Sequence, residues 1–367
     1  MRDWKTNLQW GIMDTYILRK FIGSVFFSIA LLMTIIIVFD ISEKIQSFMD
    51  NEIPLGIIVV KYYFNFIPYF VNLFFPLFTF ISVIWFTSKL SGWNEIISFF
   101  NGGISFYRFL VPYIVGALLL CILSMFMSNF VIPKTNAGMY NFKEVYMHKN
   151  HSITTSNIHF KNSKYAYVYA QRWRKQTMDG DMFTYEIIGP ERLEYKMRSE
   201  SIQYNESTKK WTLYNYVIRD FSGEKEVLRM GAQMDTTFNF LPEDFNADET
   251  AAETMSYSDL KKFIAKEQSK GSSLVKIYQI EWQKRLANPV SIVVMTLLGL
   301  CVAARRTRRG VGVHIFIGLL FVFMFIFLQQ VSTVFAISES LSPAMAIWLP
   351  NLIYLFICAC MLYAMPK

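Results

Sequence analysis

Long apolar runs without charge recur along the chain, and one polar block, residues 134–285, interrupts them. A helix needs roughly 20 apolar residues to cross a bilayer core. Six stretches reach that length: 21–39, 62–88, 109–133, 286–304, 311–336 and 343–365. The pattern predicts an N-terminal half of three spans (1–133), an insert, and a C-terminal half of three spans (286–367). Pro68 and Pro76 fall inside the second span, where a kink is tolerated if neighbours satisfy the freed carbonyls. Arg19 and Lys20 before the first span imitate a secretory leader. Its apolar core is too long and no small-x-small site follows, so the expectation is a retained span.

The insert changes period. From Asn157 to Ala170 polar residues alternate with aromatic or β-branched ones, and strand-like runs follow at 183–188, 192–204, 210–220 and 226–240. Turn signals separate them at Asp179-Gly180-Asp181, Gly189-Pro190, Asn205-Glu206-Ser207 and Ser222-Gly223. Short period-2 strands with such punctuation predict an all-β domain over 134–255, a sandwich, jelly roll or related barrel. A helical period returns at 256–269, with Ser256 or Ser258 as N-cap, in a connector (256–285) leading to the fourth span.

Composition agrees with a membrane helical protein. Hydrophobic residues make up 53% and charged ones 17%, against roughly 45–50% and 25% in soluble domains. An ordinary cytosolic enzyme is excluded. Charge then orients the spans. The N-terminus, the loops at 89–108 and 305–309 and Lys367 carry Arg2, Lys5, Arg19, Lys20, Lys89, Arg108, Arg305, Arg306, Arg308, Arg309 and Lys367 against Asp3, Asp14 and Glu95. The opposite short loops hold Lys44 and Lys61 against Asp40, Glu43, Asp50, Glu52 and Glu339. The positive-inside rule puts the basic side, with both termini, in the cytoplasm and the insert outside. The net charge of +8 is therefore a topology signal rather than a nucleic-acid footprint. Cys121, Cys301, Cys358 and Cys360 all lie in spans and read as small packing residues.

No P-loop, His-Glu-x-x-His or Gly-x-Ser-x-Gly motif is present, and no catalytic residue, metal ligand or cofactor is assigned. His148, His151 and His159 lack a converging carboxylate or thiolate, and His314 reads as interfacial. Few charges lie mid-span, which disfavours proton coupling. What remains is a membrane machine that takes its energy from a partner. The loop at 87–105 is the most informative segment. A helix over 93–100 would put Trp93, Ile96, Ile97 and Phe100 on one face and Glu95 on the other, stopped by Gly102-Gly103. Such a helix suits either a groove on a partner subunit or the bilayer surface.

Five short motifs then carry a resemblance: Met13-Asp-Thr-Tyr-Ile, Ile67-Pro-Tyr-Phe-Val-Asn-Leu-Phe-Phe-Pro, Asn94-Glu-Ile with Gly103-Ile-Ser, Arg285-Leu-Ala-Asn-Pro and Leu349-Pro350. In this order, with the three-plus-three layout, the chain resembles the YjgP/YjgQ permeases (LptF/LptG) of the lipopolysaccharide export ABC transporter. The resemblance implies an inner-membrane, multi-pass, non-enzymatic subunit with a periplasmic β-jellyroll. It also implies a second homologous permease, a cytoplasmic ABC ATPase dimer, lipopolysaccharide as cargo and periplasmic β-jellyroll bridge proteins. It tips the loop helix (Trp93, Glu95, Ile96, Ile97, Phe100, Gly103) toward ATPase docking. It places cavity and gate on the first and fifth spans, with Phe27, Leu31, Thr34, Lys44, Phe316, Leu320, Phe323 and Phe327 as candidates. Where some relatives carry several cations outside span one, this chain has Asp40, Glu43, Lys44 and Asp50, which leaves Lys44 alone for a lipid phosphate. The rival reading is a membrane receptor or scaffold whose β-domain binds an envelope ligand without an ATPase.

Overall fold

The computed structural model describes residues 10–364 apart from 148–153, 164, 176, 191, 222, 224, 225, 246–249, 271, 273, 305–310 and 339. His148, His151 and the Arg305–Arg309 cluster lie outside the described residues. The chain divides into two compact units, Met1–Met139 with Ile280–Lys367, and Tyr140–Gln279.

In the first unit the apolar runs form helices. They are α1 (Ile12–Asp50), α2 (Leu55–Leu73), α3 (Phe75–Gly92), α4 (Glu95–Asn101) and α5, a continuous helical stretch from Phe106 to Met147. After the insert come α7 (Val275–Ala303), α8 (Val311–Ile337) and α9 (Pro343–Tyr363). Five of them are long and apolar enough to cross a membrane, and the bent pair α2–α3 makes a sixth span if taken as one.

The predicted kink in the second span is a 63° break at Phe74. Pro76 sits in the first turn of α3, where its missing N–H costs nothing. Asn72 at the break is tied to α5: its Nδ2 donates to Ser128 Oγ and Ser124 Oγ donates to its Oδ1, each at 2.8 Å. A second polar knot joins α7 to α9. Ser291 Oγ donates to Asn351 Oδ1 at 2.7 Å, and Asn351 Nδ2 donates to the Ala287 carbonyl at 3.1 Å. Each such interhelical bond contributes about 0.6 kcal/mol. Ala287 of the Arg285-Leu-Ala-Asn-Pro motif thus meets Asn351, the residue after Leu349-Pro350.

Small residues set the helix spacing. A Cβ on Gly116 of α5 would stand 2.6 Å from the Phe21 ring of α1, so only glycine admits that ring. Gly318 of α8 likewise leaves room for the Ile84 side chain of α3. Ile17, Phe21, Val83, Phe109, Leu298 and Tyr354 belong to the resulting core.

In the second unit, six strands pair in sequence order as one antiparallel meander. They are β1 (Thr154–Lys161), β2 (Ala166–Arg174), β3 (Asp179–Ile188), β4 (Leu193–Asn205), β5 (Lys210–Asp220) and β6 (Val227–Thr236). The insert carries the antiparallel strands that its alternation predicts, and they share a single sheet, but residues 134–147 of the expected β-domain continue helix α5 and 251–254 are also helical. Trp173, Phe183, Ile202 and Trp211 form the buried face, closed by Phe240 and Phe245 from the segment after β6. Trp173 stacks on Phe245 at 4.5 Å, and Trp211 Nε1 donates to the Phe240 carbonyl at 3.3 Å.

One turn expectation fails here. Asp179-Gly180-Asp181 lies inside β3, because Gly180 pairs opposite Trp173 and a Cβ there would stand 3.0 Å from the indole. The two aspartates serve Arg174 instead, at 2.8 Å from Asp179 Oδ2 and from Asp181 Oδ1. Helix α6 (Tyr257–Lys270) starts with Ser256, whose Oγ accepts from the Asp259 N–H at 3.3 Å. The connector's last residues are already helical, since α7 begins at Val275 rather than at 286.

Candidate functional site

Two of the motifs meet at the N-terminal end of α1. Asp14 is fully buried, accepts from the Gly11 N–H at 2.7 Å, and receives both Arg108 amino groups at 2.6 and 2.5 Å. Arg108 stands in the first turn of α5, which Ser105 caps through the Arg108 N–H at 3.4 Å. Two residues beyond Asp14, Tyr16 Oη donates to Glu95 Oε2 at 3.1 Å. Span one is thus joined to the loop helix and to the start of α5.

The loop helix is shorter than its periodicity suggests. Asn94 adopts a left-handed φ of 62°, which ends α3 and starts α4 at Glu95. Trp93 therefore leaves the predicted apolar face. It is exposed, with Lys89 Nζ 4.7 Å from its ring. Ile96 is buried, Ile97 half-buried, and Phe100 packs on Phe109 at 5.9 Å between ring centroids. Glu95 faces Tyr16 rather than open solvent. Gly103 takes φ 85°, a conformation that favours glycine, and turns the chain back toward α5.

A groove runs along α1, α3 and α8. At one end is a cleft of about 990 Å³ lined by Trp10, Arg19, Lys20, Trp85, Lys89 and Trp93. Phe27 and Trp85, stacked at 5.8 Å, form a wall shared with an apolar pocket of about 230 Å³ holding Leu31, Ile81 and Leu319. Ile81 and Leu319 in turn line a third cavity of about 650 Å³, with Phe316, Leu320 and Phe323. The wall residues of this last stretch are almost wholly apolar.

The structure therefore brings Phe27, Leu31, Phe316, Leu320 and Phe323 to one groove. It does not bring the other three there. Thr34 is exposed, with its hydroxyl bonded to the Ala30 carbonyl of its own helix at 2.8 Å. Phe327 is exposed on α8 outside these cavities. Lys44 is engaged by the Asp40 carboxylate and by Tyr62 Oη at 2.5 Å. Asp40 also accepts from Tyr62 Oη at 3.1 Å and Tyr63 Oη at 3.0 Å. The cation that the resemblance offers to a lipid phosphate is thus internally paired.

Sequence reasoning missed Tyr16, Arg108, Trp85, Ile81 and Leu319. Arg108 entered only the charge balance of a topology argument, and Asp14 only that balance and the Met13–Ile17 motif, although a buried carboxylate implies a partner. His159 lies against the Tyr169 ring, 4.5 Å between centroids.

Comparison with known proteins matches this architecture to one family. The profile described as "Lipopolysaccharide export system permease LptF/LptG" matches residues 15–364. Lipopolysaccharide export system permease protein LptG of Escherichia coli strain K12 is 20% identical over 343 residues, covering 91% of this chain and 94% of its own. LptG of Haemophilus influenzae is 19% identical over 349 residues, covering 94% and 96%. With the match spanning both membrane halves and the β insert, the chain belongs to the LptF/LptG family of lipopolysaccharide export permeases.

Proposed function

We propose that the chain is one permease half of an ABC exporter that lifts lipopolysaccharide out of the bacterial inner membrane. It acts as a permease rather than as an enzyme, and its energy comes from ATP hydrolysis in a cytoplasmic partner dimer. A second homologous permease completes the cavity, and the β insert, on the periplasmic side, hands the lipid to β-jellyroll bridge proteins. Orientation follows the charge bias, with both termini cytoplasmic.

The carrying observation is the Tyr16–Glu95 hydrogen bond. Docking of α4 into an ATPase groove would act on a helix whose acidic residue already holds span one. Movement of α4 then shifts α1 against α8, and the apolar groove between them changes width. A wall of Phe316, Leu320, Phe323 and Ile326 suits acyl chains, which need area and no hydrogen bonds.

The test is co-purification from mild detergent of tagged wild type and Glu95→Arg. Recovery of a stoichiometric ATPase and a second permease with wild type, and their loss with the variant, is the expected result. Correctly inserted wild type emerging alone would favour a receptor or scaffold.

A further inference from the structure

Export uses the apolar part of the groove, whereas the end beside α4 is built differently. Three cations, Arg19, Lys20 and Lys89, and three tryptophans, Trp10, Trp85 and Trp93, converge there from two chain segments on a cleft of about 990 Å³. Lys89 Nζ lies 4.7 Å from the Trp93 ring and 5.5 Å from the Trp85 ring. Among the described residues none of the three cations is in an ion pair. Glu95, on the adjoining helix, is held by Tyr16 and does not line the cleft.

Cations and tryptophans near a membrane interface usually serve as anchors. Anchors scatter around a helix and face open lipid. These six instead face one cavity, which shares its Phe27–Trp85 wall with the apolar pocket of about 230 Å³. The dimensions fit one leaflet. From Lys20 to Leu32, the far end of that pocket, α1 rises about 18 Å at ~1.5 Å per residue. Half of a hydrocarbon core is about 15 Å. Positive charge at one end of this stretch of about 18 Å and an apolar slot at the other specify an amphiphile with an anionic head.

We propose that this cleft binds an anionic glycerophospholipid of the cytoplasmic leaflet. Its phosphate lies among Arg19, Lys20 and Lys89, and an acyl chain passes Phe27 and Trp85. The head-group cleft lies beyond the apolar groove assigned to lipopolysaccharide, and only the acyl chain enters the near end of that groove at Phe27. The cleft is lined by Tyr16 of the Tyr16–Glu95 junction and by Trp93 just before α4, so the lipid is a structural ligand of the coupling region. The leaflet assignment rests on the orientation in the proposed function.

The test uses the full chain with its co-purifying subunits, in native mass spectrometry with phosphatidylglycerol and phosphatidylcholine of identical acyl chains. Wild type retains phosphatidylglycerol over phosphatidylcholine by up to about 100-fold, from three cations near an anionic headgroup. Arg19→Gln/Lys20→Gln/Lys89→Gln brings the ratio near one, and Lys89→Arg keeps it. If the triple variant does not fold, Lys89→Gln alone lowers the ratio about 5-fold. Equal retention of the two lipids by wild type, or an undiminished preference in the variants, overturns the proposal. So does displacement by millimolar glycerol phosphate, which marks a free-phosphate site, or by equimolar lipopolysaccharide, which assigns the cleft to the cargo. Orientation is read separately, from Gly92→Cys in a background without native cysteines. Labelling by an impermeant thiol reagent only after permeabilisation supports it, and labelling in intact cells overturns the leaflet assignment whatever the lipid ratio.

Discussion

Tyr16 Oη and Glu95 Oε2 lie 3.1 Å apart although 79 residues separate them, and they fasten the loop helix to the first span. A hydrogen bond to a charged group contributes about 1.5–3 kcal/mol. Tyr16→Phe removes only the hydroxyl and should loosen α4 without unfolding α1. Amide hydrogen exchange of residues 95–101 is expected to accelerate about 10-fold, with exchange of residues 106–126 unchanged. Uniform acceleration would mean that the hydroxyl supports the whole unit.

Asp14 and Arg108 supply the rigid side of the same junction. The carboxylate is fully buried and the guanidinium is partly exposed. Arg108→Ala leaves an uncompensated charge and should destabilise the folded unit by about 3 kcal/mol. Asp14→Ala/Arg108→Ala should be less harmful than Arg108→Ala alone. Thermal or denaturant unfolding in detergent measures both, and simple additivity would contradict the pairing.

Gly116 controls how closely α5 approaches α1. Gly116→Leu drives a side chain into the Phe21 ring, 2.6 Å from where its Cβ would stand, and should cost about 1–3 kcal/mol. Gly56→Ala, with nothing within 4 Å, should be neutral or slightly stabilising. Unfolding midpoints of the two variants separate close packing from a general intolerance of substitution.

The β unit carries an acid-sensitive clasp. Burial pushes the Asp179 carboxyl up, but hydrogen bonds from Arg174 and Thr177 and the Arg174 charge outweigh it, and the pKa falls below its ordinary 3.8. A carboxyl depressed in the folded state adds stability above its unfolded pKa and loses it as pH falls through the folded value. The pair is partly solvent-screened, so the contribution is about 1 kcal/mol. Asp179→Asn should be less stable than wild type at pH 7, and the difference should shrink steadily below pH 4. Denaturant unfolding followed by tryptophan fluorescence at the two pH values checks the sign.

The sequence made the spans legible because a bilayer demands long charge-free helices, and the strands legible because a half-buried sheet demands alternation. The five short motifs carried more than they showed singly. Met13–Ile17 meets the Asn94–Ser105 loop through Tyr16 and Glu95, and Arg285–Pro289 meets the last span through Ala287 and Asn351. These pairings span 79 and 64 residues, beyond what any local pattern reports. Two local readings failed for identifiable reasons. Asn94 in a left-handed conformation removed Trp93 from the loop helix, and Gly180 accommodates Trp173 rather than making a turn. Lys44, which the resemblance offered to a lipid phosphate, is engaged by Asp40. Phe27, Leu31, Phe316, Leu320 and Phe323 share a groove, yet periodicity alone distinguishes a groove-lining face of an apolar helix from a lipid-facing one poorly.

The measurement that bears most directly on coupling through Tyr16 and Glu95 is lipopolysaccharide released per ATP hydrolysed in proteoliposomes of the assembled exporter. Wild type, Tyr16→Phe and Glu95→Gln would be compared. The account predicts that Tyr16→Phe assembles with the ATPase and hydrolyses ATP at close to the wild-type rate, while releasing several-fold less lipid per ATP. Glu95→Gln should behave alike, and the double variant no worse than either. Unchanged release per ATP in Tyr16→Phe would contradict the account and move the coupling path to another contact of α4.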